Sequence, residues 1–169
     1  FSIRNSAGKI TNSEISVNCN GIDVNSLKAI ANTEYGLEIA YNDITTIEGS
    51  PITAYAGANV NIHNNNLEGA SEGSGIAVYS SRANIQNNEI GPIGGWNGLW
   101  LLGSYDVIAE HNTIVDTQME PILAGEYGTQ APAPTTARLY LANNTISTAG
   151  TGACSSNRWW DGSFTCPAI

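Results

Sequence analysis

Positive charge is scarce in this chain of 169 residues. Six Lys and Arg stand against fifteen Asp and Glu, giving a formal net charge of -9 and a pI near 4.4. A nucleic-acid binder needs a basic footprint, so that class is excluded. Charge of either sign is rare, at 12% of residues, which is about half the usual share. No long apolar run occurs, so no insertion into a membrane is expected. Helical periodicity is missing too: no segment keeps a 3.6-residue repeat, and Gly and Asn interrupt every stretch. There is no initiating Met and no secretion signal, and Phe1-Ser2-Ile3 already reads as a strand. We therefore expect a mature or excised piece of a longer protein. Hydrophobic residues at 41% argue against wholesale disorder.

Cysteine is sparse but placed. Cys154 and Cys166 bracket eleven residues near the C-terminus, a comfortable span for a disulfide, with two free thiols as the alternative. Cys19 has no Cys/His signature around it and is expected to be a small buried residue.

What is abundant is repetition. A phrase of Asn, any residue and an apolar anchor recurs as Asn42-Asp43-Ile44, Asn65-Asn66-Leu67, Asn88-Glu89-Ile90, Asn112-Thr113-Ile114 and Asn144-Thr145-Ile146, with Ser13-Glu14-Ile15 as a weaker first copy. The anchors stand 29, 23, 23, 24 and 32 residues apart. Two apolar positions spaced by two precede each anchor: Leu37 and Ile39, Val60 and Ile62, Ala83 and Ile85, Val107 and Ala109, Leu139 and Leu141. That spacing is a strand with one buried face. A third phrase follows most anchors, Gly or Pro and then alternating apolar residues, as in Gly75-Ile76-Ala77-Val78 and Gly98-Leu99-Trp100-Leu101. Each period of roughly 23 residues thus holds three short strands. They are too short to pair within a period but can pair with their counterparts one period later. The result is three parallel sheets around a filled core, with a rise of about 4.8 Å per coil. For the Asn column we expect left-handed backbone angles and amides bonded from coil to coil.

Residues 75–90, "GIAVYSSRANIQNNEI", resemble the repeats of right-handed parallel β-helix proteins of the pectate-lyase-like superfamily. The resemblance covers roughly residues 1–146 and implies an all-β, right-handed, single-stranded solenoid of about six to seven coils. We read residues 1–169 as a single domain, with repeat coils to about 146 and a capping segment over about 147–169. The superfamily includes lyases, hydrolases, epimerases, tailspikes and adhesins, so the resemblance speaks to architecture more than activity.

The interruptions carry the functional information. From third strand to next first strand the anchors are 7, 8, 9, 9 and 8 residues apart; from first to second strand they are 15, 8, 7, 8 and 17 apart. Both long coils expand at the same turn, at about residues 26–36 and 125–138. Insertions on one face of a solenoid often mark its binding side, and these two would wall off a trough; neutral surface loops are the alternative. The trough floor would be the outward face of the first strands. There Tyr55, Tyr79 and Trp100 lie on successive coils, with Trp96 in the turn before Trp100. Rings about 5 Å apart suit stacking on sugars, with Asp23, Asn25 and Thr53 placed to orient hydroxyls. We expect these rings to be exposed and roughly coplanar. A ladder that merely stabilises the sheet is the structural alternative.

Catalytic signals are weaker. Glu48, Glu72, Asp116, Glu120, Asp23 and Asp106 lie near this face, and adjacent coils allow the spacing of a hydrolase pair. The resemblance implies paired Asp motifs with His-Gly for hydrolases and Asp-Pro-His-Glu for epimerases, and this sequence has neither. A lyase needs a basic residue, for which Lys28, Arg82 and Arg138 are the candidates near the trough; each is otherwise a solvated surface charge. His63 and His111 fall beside the Asn column but out of register, so they are read as surface residues rather than metal ligands. No cofactor or metal is expected; calcium would suit a uronate ligand, but no calcium-binding repeat occurs. We expect an extracellular or cell-surface module that binds a glycan or another surface without catalysis. The alternatives are a polysaccharide lyase or glycoside hydrolase, and a structural spacer or filament module. Self-association, or attachment to other domains of a parent chain, fits either binding or structural role.

The capping segment is directly testable. Cys154 and Cys166 enclose Trp159, Trp160 and Phe164, which would shield the open end of the last coil. Intact mass after alkylation should show both cysteines modified only once reductant has been added. Alkylation of both without reductant would refute the bond.

Overall fold

The computed structural model describes residues 1–4, 6–25, 36–104, 106–125 and 138–149. Cys154, Cys166, Trp159, Trp160, Phe164 and Lys28 lie outside the described residues, as does nearly all of both insertions. Eighteen strands, numbered along the chain, are present among the described residues. The first coil holds β1 (Ser2–Arg4), β2 (Gly8–Thr11) and β3 (Glu14–Val17); the second holds β4 (Ile22–Asn25), β5 (Leu37–Ala40) and β6 (Asp43–Thr46). The third holds β7 (Ile52–Tyr55), β8 (Asn59–His63) and β9 (Asn66–Gly69); the fourth, β10 (Ile76–Tyr79), β11 (Arg82–Gln86) and β12 (Glu89–Ile93). The fifth holds β13 (Leu99–Leu102), β14 (Val107–Glu110) and β15 (Thr113–Thr117); the sixth, β16 (Ile122–Gly125), β17 (Leu139–Ala142) and β18 (Thr145–Ala149).

Each coil gives one strand to each of three six-stranded sheets, and every pairing is parallel to the next coil. The first sheet runs β1-β4-β7-β10-β13-β16, the second β2 to β17 and the third β3 to β18. Register follows the spacing of the anchors: Ile44 pairs with Leu67, Leu67 with Ile90, and Ile90 with Ile114. The long period between Ile114 and Ile146 does not disturb it, because those two also pair. Strand β2 escapes the sequence pattern, since Gly8 occupies a position that is apolar in its partner, Leu37.

The three sheets enclose a core of columns. Ile44, Leu67, Ile90 and Ile114 form one, and Ile22, Ile52, Ile76 and Leu99 another, all without measurable exposure. The columns thin out at the last coil. Ile146 keeps its register but is 41% exposed, and Leu139 and Leu141 are exposed as well. The sequence pattern places Ile146 in the buried column, but no further described coil stacks on it.

A buried column of Asn side chains runs through the turn between the second and third sheets. Asn42, Asn65, Asn88 and Asn112 each donate from Nδ2 to Oδ1 of the column Asn on the next coil, at 2.9–3.0 Å. The same Oδ1 atoms accept backbone N–H groups, as from Asn65 N to Asn88 Oδ1 at 3.1 Å. Each Nδ2 also reaches a carbonyl of the preceding coil, such as Asn88 to Ile62 O. The column Asn residues do not themselves carry the expected left-handed backbone. The left-handed residue is the one before the column: Asn12, Tyr41, Asn64, Asn87, His111 and Asn143 have φ of 53–57°. The column Asn is selected for its amide, which has a donor and an acceptor on one group, and its neighbour for tolerance of the turn.

A second polar ladder occupies the turn from the third sheet to the first. Ser50 N donates to Asn20 Oδ1, Ser74 N to Ser50 Oγ, Asn97 N to Ser74 Oγ, and Asn97 Nδ2 to Glu120 Oε2. Where the following residue is glycine, as at Gly75 and Gly98, space for a side chain is short. A Cβ on Gly75 would stand 2.3 Å from Ile90 Cγ2 and 2.8 Å from Gly98 O.

Cys19 is exposed, contrary to expectation. It lies in the turn between β3 and β4, off the inward positions of either strand, so nothing requires its burial.

The Asn column predicts a specific mutational pattern. Asn88→Ala should cost about 1–3 kcal/mol, because it strands buried partners on both sides. Asn88→Asp keeps the acceptor and loses the donor, so it should also destabilise. Urea unfolding of both variants checks this, and a variant as stable as the parent would refute the ladder's role.

Candidate functional site

The outward face of the first sheet carries two rows of side chains. Asp23, Thr53, Ala77, Trp100 and Leu123 stand in register in one row. Asn25 pairs with Tyr55, and Tyr79 with Leu102, in the other. Trp100 is therefore diagonal to Tyr79, one coil and one row away. Their ring centroids are 5.3 Å apart with planes at 64°. Trp96, from the turn before β13, meets Trp100 at 4.7 Å and 82°.

These angles correct the expected coplanar platform. Trp100 packs edge-to-face against both neighbours, the arrangement that ring quadrupoles favour. Nor is the floor open: Thr53, Ala77, Leu102 and Leu123 point outward yet are buried. Tyr55, Tyr79 and Trp100 are half-buried, and Trp96 is the ring that reaches solvent, at 37% exposure. Trp100 Nε1 and Asn25 Oδ1 are shielded from solvent and have no hydrogen-bond partner among the described residues. Asp23 is half-buried and accepts from Asn20 Nδ2 at 3.0 Å.

Three of the carboxylates near this face, Asp23, Glu120 and Asp106, are engaged. Glu120 takes part in the second polar ladder. Asp106 lies between two cations, with Oδ1 at 2.5 Å from Arg138 Nε and Oδ2 at 3.9 Å from Arg82 Nε. Further along the second sheet, Glu38 holds Lys9 Nζ at 2.5 Å and His63 Nε2 at 3.1 Å. Hydrogen bonding from Lys9, and then from His63, holds the Glu38 carboxyl below its ordinary range. A general acid needs the opposite displacement. His63 also meets Tyr41 edge-on, while His111 is exposed in its left-handed turn. No cluster of three metal-ligating side chains occurs among the described residues.

Register assembles a group that the sequence reading treated as separate surface charges. Arg82, Asp106 and Arg138 each stand one residue before the first inward position of their strand, since Ala83, Val107 and Leu139 are in register. They line a cleft of about 320 Å³ together with Ile108, Leu139 and Tyr140. The signal was legible as Arg82-Ala83, Asp106-Val107 and Arg138-Leu139, once the periods had been aligned.

The chain matches the family model described as the right-handed beta helix region over residues 1–159. It belongs to the right-handed β-helix family. No curated protein and no solved structure matches it. Membership fixes the hand of the coil and leaves activity open, so the chemistry of this β-helix has to be argued from its own side chains.

The two tryptophans should separate in their effects. Trp96→Ala removes an exposed ring and one edge contact, for about 1 kcal/mol. Trp100→Ala removes two edge contacts and uncovers apolar neighbours, and should cost about 2–4 kcal/mol. Denaturant unfolding checks the order; equal small losses would show that the cluster does not hold the sheet's outer face together.

Proposed function

We propose that this β-helix is a non-catalytic module of the cell surface or extracellular space that binds carbohydrate through the aromatic edge of its first sheet. The observation that carries the reading is Trp96, a solvent-reaching ring held in place from below by Trp100. A ring fixed in this way gives contact area to a sugar with little ordering cost. Tyr79 extends the apolar edge, Tyr55 continues it one coil back, and Asp23 and Asn25 supply polar groups at its far end. The engagement of Asp106 and Glu120 with protein partners supports binding rather than acid–base hydrolysis.

One observation favours a second reading, end-to-end association of copies. The last described coil exposes Leu139, Leu141 and Ile146 beside strands with one unpaired edge. Sedimentation across a concentration series separates the two readings, since growth of long assemblies belongs to the second alone.

The binding reading is tested on a glycan array with the parent and the Trp96→Ala variant. We expect weak binding by the parent, because an open edge buries little of each sugar ring. Trp96→Ala should lose about tenfold in affinity, matching stacking of roughly 1–2 kcal/mol. Equal binding by both proteins would exclude the aromatic edge, and turnover of any glycan would overturn the non-catalytic reading.

A further inference from the structure

The turn between the second and third sheets sorts its side chains by position. In every coil the corner residue has left-handed backbone and is exposed, from Asn12 in the first coil to Asn143 in the sixth. From the second coil onward, the next residue is a column Asn. The residue after that opens the third-sheet strand and lies on its outward face: Glu14, Asp43, Asn66, Glu89, Thr113 and Thr145. The apolar anchor, one residue further, points into the core.

This order decides which Asn is able to accept an N-linked glycan. The acceptor motif is Asn, any residue but Pro, then Ser or Thr, on an accessible surface. A column Asn fails, because the residue two places on is a core anchor, as Ile90 is to Asn88 and Ile146 to Asn144. A corner Asn is eligible, because the residue two places on faces outward. Asn12, Asn64 and Asn87 are followed there by Glu14, Asn66 and Glu89, while Thr113 is preceded by His111. Asn143-Asn144-Thr145 alone joins both requirements, and the motif occurs nowhere else in this Asn-rich chain.

The surroundings of Asn143 suit the role. Asn143 and Thr145 are exposed, and neither side chain has a hydrogen-bond partner among the described residues. Asn144, between them, is fully committed. Its Oδ1 accepts from Asn112 N and Nδ2 at 3.0 Å, and its Nδ2 donates to Ala109 O at 2.9 Å. Two adjacent Asn thus have separate tasks, and a glycan on Asn143 would break no bond of the ladder. Room is available as well. On interior coils the corner lies about 4.8 Å from a neighbour on either side. Asn143 has the corner of His111 on one side and no further described coil on the other.

We propose that Asn143 is an N-glycosylation site. Its amide receives an oligosaccharide from a lipid-linked pyrophosphate donor. The bond from Asn143 Nδ2 to the first sugar carbon forms, and the bond from that carbon to the pyrophosphate oxygen breaks. The lipid pyrophosphate leaves, and one amide proton passes to a base of the transferase. Thr145 supplies the hydroxyl that the transferase reads. The proposal rests on the extracellular reading, because such donors serve exported chains; it is independent of whether the module itself binds carbohydrate.

The test secretes the whole chain from a eukaryotic cell line behind a cleavable leader. The parent should be heavier than its sequence. Peptide N-glycosidase should remove the excess and leave Asp at position 143, which peptide mass spectrometry locates. Thr145→Ala keeps the acceptor and removes the hydroxyl, so it should abolish the excess. Thr145→Ser keeps a hydroxyl and should retain the glycan. Asn143→Gln should abolish it too, and Thr145→Ala guards against a defect caused by placing Gln in a left-handed corner. An unmodified Asn143 in the secreted parent overturns the proposal, as does a Thr145→Ala variant modified as fully as the parent. The leader imposes export, so either failure leaves the aromatic-edge reading standing. A glycosylated parent that binds nothing on the glycan array would remove that reading alone.

Discussion

Asn65 accepts the amide of Asn42 and donates its own to Asn88, and through this column each coil is held at one register on the next. Parallel stacking alone would permit slippage, because three or four backbone bonds per strand tolerate a shift. A slip of one residue would exchange the inward and outward faces of every strand in the coil. The buried amide blocks it: a shifted Asn would leave a donor and an acceptor unpaired out of contact with water. The outer surface inherits this constraint. Tyr79 meets Trp100, and Arg82 meets Asp106, because Asn88 has first met Asn112.

In-register stacking also explains why charge is rare. Equivalent residues on successive coils stand about 4.8 Å apart, so repetition of one charge would repel along the whole axis. The described columns avoid this by alternation or dilution. Lys9 precedes Glu38; Asp106 separates Arg82 from Arg138; Gln86 donates to Glu110; Asn66 donates to Asp43. Glu14 beside Asp43 is a like-charge pair in register, and both are exposed, where water screens them. Low charge content is thus a consequence of the architecture rather than a clue to the ligand.

The same logic separates what could be read from the sequence from what could not. Columns were legible because they recur: the apolar anchors, the Asn phrase and the Gly or Pro before the first strand all repeat at one spacing. The partition of roles within the Asn turn was not legible, since Asn64 and Asn87 precede the column residues Asn65 and Asn88 and one residue type serves both purposes. The ladder through Ser50, Ser74 and Asn97 was obscured because two residue types alternate in it. The rings of Tyr79, Trp96 and Trp100 were correctly placed on one face, but their tilt depends on side-chain angles that no spacing encodes. The cleft at Arg82, Asp106 and Arg138 becomes legible only when the periods are aligned, because a column of mixed charge does not look like a repeat.

Both candidate surfaces border the turn between the first and second sheets, and the hydrogen bonding explains why. The turn from second to third sheet is pinned by the Asn column, and the turn from third to first by the ladder from Asn20 to Glu120. The Asn column fixes the length of its turn, since an inserted residue would break a buried bond, and the second ladder confines its own turn to between 7 and 9 residues from anchor to anchor. In the turn from first to second sheet the described buried bonds are fewer: Ser81 Oγ accepts from Ala58 N, and Ser104 Oγ donates to Val78 O. These belong to the compact coils, where strand anchors stand 8, 7 and 8 residues apart; in the other two coils the distance is 15 and 17. Length is thus free to vary where no continuous ladder runs. Tyr79 and Arg82 sit at either end of the shortest of these turns, so the rings and the guanidiniums lie on two sides of one corner. The corner that the polar ladders constrain least is the one that carries both the ring cluster and the charged cleft.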